Sequence, residues 1–198
     1  FVRNSSFYLT DAISCENFIN ETRFHNNLYL ANNYAKANEI NLQDNAGKAG
    51  LMPYQYEYDK SLKIYSMTID LEMIGIDKNF QEEASAEEKV NRVHKLLDAV
   101  ANLSLIVRGN LDNAEPLFIV GGLSERKTHY FENVVKVQSE QLVLSKDLKE
   151  KIEEGYYVGL LQGGTFINEI DIIKELNPMS IKEFFNAVKN EVKQYYGL

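Results

Sequence analysis

The chain has 198 residues, 44% of them hydrophobic, with 21 Lys and Arg against 29 Asp and Glu, a net charge of −8 and a pI near 5.0. That length and apolar fraction fit one globular domain, or one domain carrying an elaborate insertion, around a sizeable core. They argue against a membrane span, because no run approaches the roughly 18 apolar residues a spanning helix needs, and the acidic balance argues against a generic nucleic-acid binder without forbidding a local basic track.

Cys15 is the single cysteine, so an intramolecular disulfide is impossible and a zinc cluster lacks ligands. The expected compartment is a reducing cytoplasm. No basic-then-apolar secretory start is visible, so the Asn-x-Ser/Thr triplets beginning at Asn4, Asn20 and Asn102 are read as chance. The chain opens on Phe1 and not Met, and residues ahead of it are expected to be missing.

Residues 1–50 hold ten asparagines, whose amides compete for backbone hydrogen bonds and disfavour helix interiors and strands. Charge is nearly balanced over 1–55, with five carboxylates against Arg3, Arg23, Lys36 and Lys48. Short apolar pieces, Phe7–Leu9 and Leu28–Ala31 among them, interrupt the polarity, and Gly47-Lys-Ala-Gly50 supplies a flexible link. The stretch reads as an ordered but irregular excursion with a mobile base; a partly disordered loop is the alternative.

Tyr54, Tyr56 and Tyr58 alternate, as do Tyr65, Met67, Ile69 and Leu71, with a turn at Asp59-Lys-Ser61 between them; together they predict a β-hairpin. An acidic stretch follows, seven carboxylates from Asp70 to Glu88, and its 77–88 part is expected to face solvent or a neighbouring protein. Ser85-Ala-Glu-Glu88 is a capping box. It opens a helix whose apolar face runs Val90, Val93, Leu97, Val100, Ala101 and Ser104, with Arg108 at its negative end and Gly109 as its stop. Leu117–Val120 predicts a short buried strand, paired with 131–137 across a tip at Ser124–Thr128. A charged helix over Ser145–Glu154, a strand over Tyr156–Leu161 and a final helix opened by the capping box Ser180–Glu183 complete the order. Helices alternating with a mostly antiparallel sheet predict an α+β domain of ferredoxin-like kind, short of one strand and one helix that the missing N-terminus would supply.

No enzyme signature emerges. His25, His94 and His129 have no Cys, His or acidic neighbour at metal-ligand spacing, and His94 reads as a packing residue. Gly121-Gly122 and Gly163-Gly164 lack a phosphate-loop ending and read as strand-end bends. The expected catalytic residues, metals and cofactors are therefore none. The strongest signal is Glu21-Thr-Arg-Phe-His-Asn-Asn27, with a cation, a ring, an imidazole and two amides in succession. Arg23 can pair with phosphate in two-pronged fashion, Phe24 or His25 can stack on unpaired bases, and Asn26 and Asn27 can bond backbone or base edges. A surface loop whose Phe24 tucks into its own domain explains the same residues equally well.

Several motifs resemble the backbone subunits of CRISPR-associated type I effector complexes (Cascade), of the type I-B, DevR-like branch. They are Thr10–Ser14, Ser66–Leu71 with Ile74–Asp77, Glu88–Ala99 and, best of all, Arg108-Gly-Asn-Leu-Asp-Asn-Ala-Glu-Pro-Leu-Phe-Ile-Val-Gly-Gly122, in order over nearly the whole chain. The resemblance implies a modified RNA-recognition (ferredoxin-like) palm over 56–198 and a long irregular thumb insertion over 5–55. It implies copies stacked along a CRISPR RNA, other Cascade subunits as partners, and target DNA recognised through the guide. The thumb would flip out a guide base at intervals, with Phe24 and His25 near its tip. Arg3, Ser5 and Ser6 would lie at its root against RNA, and Arg108 is a further backbone contact or else a helix cap. The resemblance implies further residues ahead of Phe1, which would supply the palm's first strand and helix and several RNA contacts. The resemblance is to a non-cutting branch; an RNA-cleaving relative of type III complexes, or a regulatory protein without RNA, are the alternatives.

Overall fold

A computed structural model describes residues 4–16, 21–51, 53–58, 61–107 and 110–198, with backbone alone at 21–23, 56–58, 107 and 110. Described elements run β1 (Phe7–Leu9), β2 (Ile13–Ser14), β3 (Glu21–His25), α1 (Leu28–Ala37), β4 (Tyr54–Tyr58), β5 (Lys63–Ile64), β6 (Met67–Ile69), a 3-10 turn (Leu71–Met73), β7 (Ile76–Asp77), β8 (Glu82–Glu83) and α2 (Ala86–Ala101). There follow β9 (Ser104–Val107), β10 (Asn110–Asn113), β11 (Phe118–Gly121), β12 (Val137–Gln138), β13 (Gln141–Leu142), α3 (Lys146–Glu153), β14 (Tyr157–Leu160), α4 (Glu169–Leu176) and α5 (Ile181–Tyr195). Among the described residues this is a mixed α/β protein whose small sheets are all antiparallel pairs. It divides into an insertion, Glu16–Leu62, and a body formed by Phe1–Cys15 and Lys63–Leu198.

The body's core lies between α2 and α5. Val90, Val93 and Leu97 recur at helical spacing along α2 and meet Phe184, Phe185 and Val192 of α5, with Ile74 beside them. Met67 and Ile69 of β6 and Ile119 and Tyr157 of β11 and β14 pack onto the same cluster. Phe184 and Phe185 meet edge to face with centroids 5.5 Å apart. Gly159 is needed where the layers meet: a Cβ there would stand 2.8 Å from Ile119 Cγ2 and 3.0 Å from Phe184 Cβ. Both capping serines act as their spacing predicts. Ser85 Oγ accepts from Glu88 N at 3.3 Å, and Ser180 with Glu183 closes a full capping box. His94 is a packing residue, with Nε2 3.0 Å from the Lys189 carbonyl oxygen.

Three sequence expectations are overturned. The tyrosine-rich segment does not pair with 65–71. Instead β4 pairs with β3, while β6 pairs with β1 and β5 with β2. The alternation was read correctly but its partner lies far back in the chain, which a local turn signal at 59–61 cannot reveal. Between Leu9↔Met67 and Ile13↔Ile64, residues 10–12 face 65–66, a one-residue bulge held by Thr10 Oγ1 accepting from Ser66 N at 2.8 Å.

β11 pairs with β14 and not with 131–137. Phe131 ends the excursion in a turn, where Val134 N and Val135 N both donate to its carbonyl at 3.1 Å and its ring meets Tyr156 edge-on. The α2 helix stops at Ala101 and does not reach 108. Asn102 folds back so that its Nδ2 donates to Asp98 O at 2.9 Å, and the apolar run that follows, ending in β-branched Ile106 and Val107, enters β9, paired with β10.

The stretch 1–50, expected to be irregular, contains β3 and a ten-residue helix. Asn27 and Asn38 cap the helix and Asn33 lies on its wet side, while Ala31 and Ala35 turn inward to meet Ala49, with Ile40, Leu42 and Leu51 around them. Small residues at i and i+4 let the following loop approach the helix closely, which outweighs the weak helix propensity of Asn.

Candidate nucleic-acid interface

The run Glu21–Asn27 forms β3 and the entry to α1. Backbone pairing sets Arg23 opposite Tyr56, Phe24 opposite Gln55 and His25 opposite Tyr54. The last pair stacks, with ring centroids 5.6 Å apart and planes 17° from parallel. Because side chains alternate across a ribbon, Phe24 takes the face opposite this stack. Phe24 does not tuck into its own domain: 78% of its surface is exposed. The Arg23 side chain lies outside the described residues.

The two asparagines have separate tasks. Asn26 Oδ1 accepts from Leu28 N at 3.4 Å at the helix entrance. Asn27 is the N-cap residue, and its Nδ2 donates to Gly50 O at 2.8 Å, tying the start of α1 to the glycine link. The structure thus brings Phe24, His25, Asn26 and Asn27 together at one end of the ribbon, and adds Tyr54, which sequence reasoning set on a strand face but did not count as a site residue. The exposed Tyr29 and Tyr34 were also missed. Their signal was the helical spacing of Ala31 and Ala35, which leaves both tyrosines on the other side.

Ser5 and Ser6 belong to the body. Ser5 Oγ closes a local turn, donating to Phe7 O at 2.5 Å and accepting from Phe7 N at 3.1 Å. Ser6 O accepts from Asp70 N at 2.8 Å. Buried Asp70 also accepts from Glu72 N at 3.2 Å and pairs with Lys127 at 3.1 Å. Hydrogen bonds to Glu72 and then Asp70 push the Lys127 ammonium up to about 12. Nearby, Thr68 Oγ1 lies 3.3 Å from His129 Nδ1, and Tyr130 OH donates to Glu154 at 2.8 Å beneath the Arg126 guanidinium. The Ser124–Thr128 tip is therefore pinned to the body by polar bonds. Arg3 and Arg108 lie outside the described residues.

Charge is distributed differently in the insertion. Among the described residues Lys36 and Lys48 carry no ion pair, and α1 has no acidic residue in its first turn, whereas α2, α3, α4 and α5 each begin with one or two. Among the described residues no group of three His, Cys, Asp or Glu side chains is placed to hold a metal ion, and no helix is long and apolar enough to cross a membrane.

A family model described as CRISPR-associated negative auto-regulator DevR/Csa2 matches residues 1–149. The chain belongs to this family. No curated protein and no solved structure matches it. The DevR/Csa2 match takes in the whole insertion and the body as far as α3, bearing out the resemblance drawn from the motifs. It stops short of β14 and α5, which complete the body's core. Membership ties the chain to CRISPR-associated function, and the insertion carries the most exposed rings among the described residues, Phe24 and Tyr29.

Proposed function

We propose that this chain is a non-catalytic, CRISPR RNA-binding backbone subunit of a type I Cascade complex, and that its insertion is the thumb that holds the guide. Copies of it would polymerise along the RNA, beside other subunits, and target DNA would be read through the guide. The observation that carries the proposal is Phe24, a large ring exposed on the ribbon face opposite the His25–Tyr54 stack, in a chain of the DevR/Csa2 family. An exposed ring at a ribbon end can wedge between bases, and stacking of one base on an aromatic side chain contributes about 1–3 kcal/mol. The body would be the RNA-recognition (ferredoxin-like) palm, a reading supported by Met67 and Ile69 of β6, Ile119 of β11 and Tyr157 of β14 packing onto the α2–α5 cluster. The net charge of −8 makes single-copy affinity modest, and repeated contacts on one RNA offset this through effective concentration.

The test is guide loading of the assembled complex. Phe24→Ala with His25→Ala should lower guide retention about tenfold or more, by the stacking energy of one or two bases. Retention equal to the unmodified complex would overturn the thumb assignment. Labelled target RNA incubated with the complex and magnesium should stay whole; regular cleavage would overturn the non-catalytic assignment. The family description itself carries a regulatory reading. A complex that forms without any RNA would favour it.

A further inference from the structure

We propose that the outer face of α1 is a second contact surface for single-stranded RNA, continuous with the Phe24–Asn27 run. The inference rests on the reading of the chain as an RNA holder and extends it to residues outside that run.

With Ala31 and Ala35 buried, the opposite arc of the helix carries Lys36, Tyr29, Asn33, Leu30 and Tyr34 in angular order. Tyr29 is 77% exposed, Leu30 65% and Tyr34 52%. A ten-residue helix has no reason of its own to turn two tyrosines and a leucine outward, and such a patch marks an interaction site. The chemistry of the arc selects the occupant. It has two rings that can stack on bases of any identity, one amide that can donate and accept, and one cation with no carboxylate partner among the described residues. α1 contains no carboxylate at all in a chain with 29 of them. A polyanion therefore meets no like charge along this helix. Seven cations of the body are, by contrast, already bound to carboxylates. Continuity supplies the last argument, since Asn27 is both the end of the Phe24–Asn27 run and the N-cap of α1.

The experiment uses the full chain and a fluorescein-labelled oligouridine, followed by anisotropy across a salt series. Tyr29→Ala with Tyr34→Ala should weaken binding about tenfold or more with the salt slope unchanged, because stacking releases no counterions. Tyr29→Phe with Tyr34→Phe should restore it, which separates ring stacking from loss of fold. Lys36→Ala should flatten the salt slope by about one. The inference is overturned if Phe24→Ala weakens binding while the alanine double variant binds like the unmodified chain. It is also overturned if the double variant keeps RNA but loses association between copies, which would make the arc a protein interface. If the unmodified chain and the assembled complex both fail to hold RNA, the function proposed above fails first and this inference falls with it.

Discussion

The body and the insertion are built on cores of different size. The body encloses large groups, Leu148 and Ile172 fully and Phe184 and Phe185 nearly so, while Ile106 and Ile170 stay exposed. The insertion buries three alanines and leaves Phe24, Tyr29, Leu30, Tyr34 and Tyr54 in water. At about 0.8 kcal/mol per buried methyl-sized group, three alanines contribute roughly 2 kcal/mol, about what one buried Phe or Leu gives the body. Charge differs too: seven body cations are paired to carboxylates, whereas among the described residues Lys36 and Lys48 of the insertion have no ion pair. The difference teaches where to look for function. Groups whose bonding is satisfied within the chain hold the fold, and groups left unsatisfied on an ordered scaffold are available to a partner.

The comparison breaks most easily in the body. Phe184→Ala removes a ring from the α2–α5 core and should cost about 3–5 kcal/mol. It should lower the urea midpoint of global unfolding. If it opened only the insertion, the two-part division would be wrong.

A smaller effect is expected from Ala35→Leu. It overfills the contact with Ala49 and should cost about 1–3 kcal/mol locally. Amide exchange should then quicken in α1 while the global midpoint of the body stays put. A shared loss of both would show that the units fold as one.

Smaller again is Ser180→Ala. The hydroxyl accepts from Glu183 N at 3.2 Å, and the cap should be worth about 1 kcal/mol. The Ser180 side chain and then its backbone N–H, donating to the Glu183 carboxylate, hold that group below its ordinary pKa. A carboxyl depressed in the folded state stabilises it fully above the unfolded value, and that contribution fades as pH falls through the folded one. The variant should therefore lose stability at neutral pH and lose less at strongly acid pH. NMR titration should show the Glu183 carboxyl moving back up.

Much of the body was legible from sequence because its signals are local. The capping serines, the apolar stripe of α2 and the α3 stop at Gly155, where φ is +110°, each depend on neighbours within a few residues. At the end of α5 Tyr195 is exposed, and Tyr196 packs inward with its hydroxyl donating to Leu71 O at 2.6 Å. Strand partners were not legible. β1 with β6, β3 with β4 and β11 with β14 all join segments separated by long excursions, and an alternating pattern names a face but no partner. In the candidate site, the run 21–27 stood out by residue type, while Tyr29 and Tyr34 did not. Their exposure depends on three alanines meeting across a loop, and small apolar residues in an Asn-rich stretch carry little pattern. The carboxylate-free character of α1 was present in the letters and was obscured by the near-balanced charge of the whole 1–55 stretch.

The most direct test of the central claim is ultraviolet cross-linking of the full chain to single-stranded RNA, with the attached peptides mapped by mass spectrometry. The account predicts adducts on Phe24, His25, Tyr29 and Tyr34. RNA that binds yet cross-links only to body peptides, leaving residues 21–37 clean, would contradict it.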